Sequence, residues 1–69
     1  MWYLYIIEKK RKYYTGITTN LQKRLRQHAS HSLLYEETFP NKTKAAQREK
    51  QIKGFSRAKK EQLIEEYKK

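Results

Sequence analysis

Tyrosines, a glycine, cations and a glutamate stand along this 69-residue chain where each could serve phosphate chemistry. Tyr5 lies in the run WYLYII, Tyr14 and Gly16 in YYTGI, Lys23, Arg24, Arg26 and His28 in KRLRQH, and Glu49 in REKQIK. A phenol in a basic pocket can orient or deprotonate a water below its free pKa of about 10. Arginine presents a planar fork that meets phosphate through two hydrogen bonds. A carboxylate in an apolar helix stripe is costly unless it is paired, protonated or bound to a metal. Each residue also has an ordinary reading. Most tyrosines pack a core or sheet, a rim arginine covers apolar surface with its stem, and a helix-end histidine answers the helix dipole. Glu49 can pair with Lys53, four residues on.

Composition narrows the partners. Seventeen Lys and Arg against seven acidic residues give a formal net charge of +10, which favours a polyanion, nucleic acid first. There is no cysteine, and two histidines alone cannot build a zinc site. There is also no aspartate, so any metal-binding carboxylate is Glu8, Glu36, Glu37, Glu49, Glu61, Glu65 or Glu66. That speaks against a site of three or four clustered carboxylates. WYLYII is too short to span a bilayer, and no basic region precedes it as in a signal peptide. The expectation is a cytoplasmic protein with no membrane contact. Residues 1–69 are expected to form one domain with a thin core, since a chain of this size buries only about 60% of its unfolded surface.

These residues need elements to hold them. Residues 2–7 are apolar throughout and suit a strand covered on both faces. EKKRK joins them to a second strand at Lys12–Thr15 in an antiparallel hairpin, although the loop holds no Gly, Asn, Asp or Pro. This pairing predicts Tyr5 and Tyr14 nearly opposite one another. Thr19 as N-cap with Gln22 three residues on predicts a first helix from Asn20 to about Ala29. Leu21 and Leu25 form its inner stripe, Arg24 and His28 the edge of that stripe, and Lys23 and Arg26 its outer side. Leu33–Phe39 reads as a third strand. Asn41 or Thr43 caps a second helix through Lys53, with Ala45, Ala46 and Ile52 inward, Glu49 among them, and Gly54 at C′. Ser56 caps a third helix reaching toward Tyr67, with Leu63, Ile64 and Tyr67 as its stripe.

Taken in order, Tyr3-Leu4-Tyr5, Tyr14-Thr15-Gly16, KRLRQH, REKQIK and GFSRAKKEQL resemble the GIY-YIG nuclease superfamily over nearly the whole chain. The likeness is to its small stand-alone bacterial members, similar to the nuclease module of the excision-repair incision subunit. The resemblance implies an α+β fold, a three-stranded antiparallel sheet flanked by helices in the order β-β-α-β-α-α. It implies cleavage of DNA phosphodiesters with one Mg²⁺ or Mn²⁺ ion, in DNA repair or processing. Tyr5 and Tyr14 would line the site, with Tyr5 orienting or deprotonating the attacking water. Gly16 would let the backbone pass close, Arg24 would stabilise the phosphorane charge with support from His28, and Glu49 would hold the metal. Gly16, Lys23, Arg24 and Arg26 would meet the DNA, mainly at its phosphates. The connection around Ala29–Ser32 is shorter than family members usually carry. It keeps open the alternative of a non-catalytic nucleic-acid-binding module of the same fold.

Overall fold

The computed structural model describes residues 1–27 and 32–68. The elements are β1 (Trp2–Lys9), β2 (Lys12–Thr18), α1 (Leu21–Gln27), β3 (Ser32–Phe39), α2 (Lys42–Lys53) and α3 (Arg57–Lys68). The strands form one antiparallel sheet in the order β2-β1-β3, so the fold is α+β with the expected element order. β1 takes the centre because it is apolar on both faces, and Leu4, Tyr5, Ile6 and Ile7 are all buried. No helix among the described residues is long and apolar enough to cross a membrane.

Register assigns the two faces. Leu4 pairs with Ile17 and Glu37, and Ile6 with Thr15 and Tyr35. On that side Leu4, Ile6 and Tyr35 form one cluster with Ile52 of α2 and Ile64 of α3, and this is the core. The other side, here called the tyrosine face, carries Tyr3, Tyr5 and Ile7 of β1, with Tyr14, Gly16 and Thr18 of β2 across from them. A register shift between Ile6 and Ile7 moves pairing from Tyr35 to Leu33. Leu34 is the extra residue of this bulge and packs against the core cluster.

One knot of polar groups ties β3 to α2. The Tyr35 hydroxyl donates to Glu37 Oε2 at 2.7 Å, and Arg48 Nε donates to the same oxygen at 3.3 Å. Burial first, then the hydrogen bond to Glu37, holds the Tyr35 phenol above its usual pKa.

The helix starts follow side-chain capping. Asn41 Oδ1 accepts from Lys44 N at 2.9 Å and Ser56 Oγ from Lys59 N at 3.2 Å, as their positions predict. On α1 the cap is Asn20 rather than Thr19. Asn20 Oδ1 accepts from Lys23 N at 3.0 Å, while Thr18 Oγ1 accepts from Asn20 N at 3.1 Å and sets the turn that leads in. The expected end of this helix near Ala29 lies outside the described residues. Gly54 closes α2 with φ −80°, so its place is not owed to a left-handed backbone.

β2 continues to Thr18, past the expected end at Thr15, because Gly16 and Ile17 stay paired with Tyr5 and Leu4. The hairpin turn is two residues long. Lys10 and Arg11 take φ 53° and 65°, the left-handed pair that a type I′ turn requires and that Asn-Gly usually supplies. The tip is held to α3 by Arg57, whose Nη1 donates to the Arg11 carbonyl at 3.1 Å and whose guanidinium lies over the Tyr13 ring at 4.5 Å.

Candidate functional site

The centre of the tyrosine face is a phenol laid over a glycine. Tyr5 pairs directly with Gly16, and a Cβ placed on Gly16 would lie 2.5 Å from the Tyr5 hydroxyl oxygen and 2.7 Å from Cζ. Tyr5 needs that space because its side chain is almost wholly buried, at 5% exposure. Gly16 therefore serves by having no side chain, since its φ is not positive.

Tyr14 does not stand opposite Tyr5. A two-residue turn at Lys10-Arg11 forces Lys9 to pair with Lys12 and so Ile7 with Tyr14. Tyr14 becomes a diagonal neighbour of Tyr5 on the same face, a separation of about 7 Å that aromatic side chains can bridge. It is exposed, so its ring is available to a ligand.

α1 follows β2 directly and brings cations to the far end of the strand. Thr18, Thr19, Asn20, Lys23, Arg24 and Gln27 line one cleft. Arg24 is exposed there and its Nη1 donates to Gln27 Oε1 at 3.3 Å. Leu21 and Leu25 supply the half-buried side of α1, and Arg24 lies outside it. Arg26 is exposed on the same helix but does not line the cleft. His28 lies outside the described residues.

Glu49 follows Ala45 and precedes Ile52 on the inward side of α2, both of which are fully buried. The carboxylate itself is not buried and unpaired. Its side chain is 22% exposed, and Glu49 Oε2 lies 3.4 Å from Lys53 Nζ, because the rim of the stripe lets a lysine one turn later reach it. Among the described residues Glu49 makes no hydrogen bond or ion pair with Tyr5, Tyr14 or Arg24. No group of three or more His, Cys, Asp or Glu side chains is placed to hold a metal among those residues. Glu37 and Glu61 are engaged structurally, the first by Tyr35 and Arg48, the second by Arg57 at 3.1 Å. Sequence reasoning passed over Glu36. It pairs directly with Tyr5 and is the carboxylate that register brings onto the tyrosine face. Alternation along β3 separates Glu36 from Glu37, but only the long-range pairing shows which of them meets Tyr5.

A β-hairpin with a tyrosine on each strand, a glycine beneath one of them, an arginine-bearing helix next and a glutamate on a later helix together define the GIY-YIG class of domain. Residues 1–62 match the GIY-YIG catalytic domain, and the chain belongs to that family. The chain is 38% identical over 77 residues to the UPF0213 protein SH2523 of Staphylococcus haemolyticus, covering 93% of this chain and 94% of that one. It is 40% identical over 63 residues to the UPF0213 protein NP_0776A of Natronomonas pharaonis, covering 74% of each. The solution NMR structure of the UPF0213 protein BH0048 from Bacillus halodurans superposes with a TM-score of 0.68 at 37% identity, over 94% of this chain and 84% of that one. The alignment of 77 positions exceeds the 69 residues present, so the staphylococcal relative carries residues with no counterpart here.

Proposed function

We propose that residues 1–69 act as a single divalent-metal-dependent DNA endonuclease domain that hydrolyses phosphodiester bonds. The observation that carries this reading is the buried Tyr5 phenol seated on Gly16, inside the stretch that matches the GIY-YIG catalytic domain. In the reaction a water oxygen bonds to phosphorus, the water gives up a proton, and the P–O ester bond breaks as the leaving oxygen is protonated. Tyr5 orients the water through its hydroxyl, a role suited to a ring fixed by packing. Tyr14 adds a second hydroxyl on the same face. Arg24, exposed and free to turn from Gln27, holds the non-bridging oxygens of the phosphate with His28 in support of that charge, while Lys23 and Arg26 meet the DNA backbone.

The donor set fits one kind of cation. Glu49 is a single half-buried carboxylate whose other partner is a lysine, which suits Mg²⁺ or Mn²⁺, hard ions that keep several waters and take further ligands from substrate phosphates. When bound, such an ion supplies Lewis-acid polarisation of the phosphoryl oxygens. Glu49 would hold it.

A plasmid-nicking assay with Mg²⁺ or Mn²⁺, against chelator, tests the reading. Nicking is expected with metal and not without it. Glu49→Gln is expected to abolish nicking while costing no more than about 0.5 kcal/mol of stability, the worth of an exposed i,i+4 pair. Glu36→Gln run beside it asks which carboxylate matters, and loss confined to Glu36→Gln would overturn the assignment. The second reading, a non-catalytic nucleic-acid-binding module, is favoured by the Glu49–Lys53 pair. Metal-independent DNA binding without nicking would establish it.

A further inference from the structure

The hairpin tip holds two costly features that packing does not explain. Lys10 and Arg11 both sit in the left-handed region, which side chains other than Gly and Asn adopt reluctantly. Beside them Lys9 and Lys12 face each other as a directly opposed pair of like charges, an arrangement that destabilises a sheet. Among the described residues the ion pairs are Arg48–Glu37, Lys53–Glu49 and Arg57–Glu61, so no carboxylate neutralises this cluster. The tip is nevertheless anchored. Arg57 donates to the Arg11 carbonyl and also pairs with Glu61, which in turn accepts from the Tyr13 hydroxyl at 3.4 Å. Four successive cations are thus displayed on a fixed turn, with Lys10, Arg11 and Lys12 exposed.

Position gives the cluster its meaning. Strand alternation places Lys9 and Lys12 on the tyrosine face, in line with Ile7 and Tyr14. The cleft with Lys23 and Arg24 adjoins the opposite end of β2, at Thr18. Between the two ends lie Tyr14 and the Tyr5–Gly16 pair. The seven residues of β2 span roughly 20 Å, about six base-pair steps of B-DNA.

We propose that the hairpin tip Lys9–Lys12 is a second phosphate-binding site, which grips the backbone of duplex DNA flanking the tyrosine face while Lys23 and Arg24 hold it at the other end. This rests on the DNA-directed reading above but not on cleavage. Strain and charge repulsion kept at a rigid, exposed tip are accounted for if a polyanion relieves the repulsion on binding.

The test is fluorescence anisotropy of a labelled duplex titrated with the full chain across a salt series, without metal. The double variant Lys10→Asn with Arg11→Gly supplies the preferred turn residues and keeps the Arg11 carbonyl contact. It is expected to melt higher than the wild type yet bind more weakly, with the slope of log affinity against log salt shallower by about 1 to 2. Lys12→Gln, which leaves the turn intact, is expected to shallow the slope by about 1. Arg24→Ala is the comparison at the other end. If it shallows the slope while both hairpin changes leave affinity and slope untouched, the hairpin site is refuted and the DNA-directed reading stands. If the wild type binds no duplex at low salt, both fall. Binding that depends on the hairpin in a chain that never nicks DNA sustains the site and removes the endonuclease.

Discussion

At Gly16 a single Cβ would come within 2.5 Å of the Tyr5 hydroxyl oxygen, closer than such contacts occur, and the atoms it meets belong to a ring that is 5% exposed. Gly16→Ala must therefore move the ring or part the strands. The expected cost is about 1 to 3 kcal/mol, as for other overpacked sites. If Tyr5 positions the water, a displaced ring should also slow nicking about a hundredfold. Tyr5→Phe separates the two effects, because it keeps the ring on the glycine and removes only the hydroxyl. It is expected to lose a similar factor in rate with little change in thermal unfolding. A Gly16→Ala protein that melts and nicks like the wild type would show that the approach of Tyr5 has no part in the activity. The same residues mark how far the sequence could be read. The pairing of a Tyr-bearing strand with YTG, and an arginine and a glutamate on later helices, were legible as an ordered motif. The diagonal placement of Tyr14 was not, because it depends on a turn made by Lys10-Arg11, which lacks the residues that announce such a turn.

Elements were legible where capping is local and hidden where pairing is long-range. Asn41 and Ser56 cap as their positions predict. Asn20 and Thr19 compete for one cap, and Asn20 prevails because the Thr18 side chain fixes the turn before it. The sequence alone ends β2 at Thr15, since glycine weakens a strand in isolation, whereas across from Tyr5 its lack of a side chain is what the ladder needs. Thr15 itself shows what this strand gives up. It pairs with Ile6 on the core side, and its Oγ1 is buried with no hydrogen-bond partner. Thr15→Val keeps the shape and removes the stranded hydroxyl. It is expected to stabilise the fold by about 1 kcal/mol, read by denaturant or thermal unfolding. Nicking and DNA binding should be unchanged, since Thr15 faces away from Tyr5 and Tyr14. A destabilised Thr15→Val would mean that the hydroxyl has a partner after all.

Across the whole molecule, the charge that favours a polyanion opposes folding. The chain carries +10 on a body of 28 × 25 × 22 Å, with a core of Leu4, Ile6, Tyr35, Ile52 and Ile64. At about 0.1 M salt the screening length is about 10 Å, so repulsion between opposite sides of the molecule is already damped and the local clusters dominate. The opposed Lys9 and Lys12 are one such cluster. Raising sodium chloride from about 0.01 to 0.5 M should weaken that repulsion more than it weakens the few ion pairs, which are partly exposed and individually worth little. A gain of about 1 kcal/mol would appear as a rise of about 4 to 8 °C in Tm for a domain of this size. Over the same range DNA affinity should fall, with a slope near −0.9 for each phosphate contacted. Stability and binding are thus expected to move in opposite directions with salt. Circular-dichroism melts and anisotropy titrations on one set of buffers measure both. A Tm that falls with salt would show that the specific pairs, Arg48–Glu37 foremost, outweigh net repulsion, and the hairpin charges would then need a different account of how the fold tolerates them.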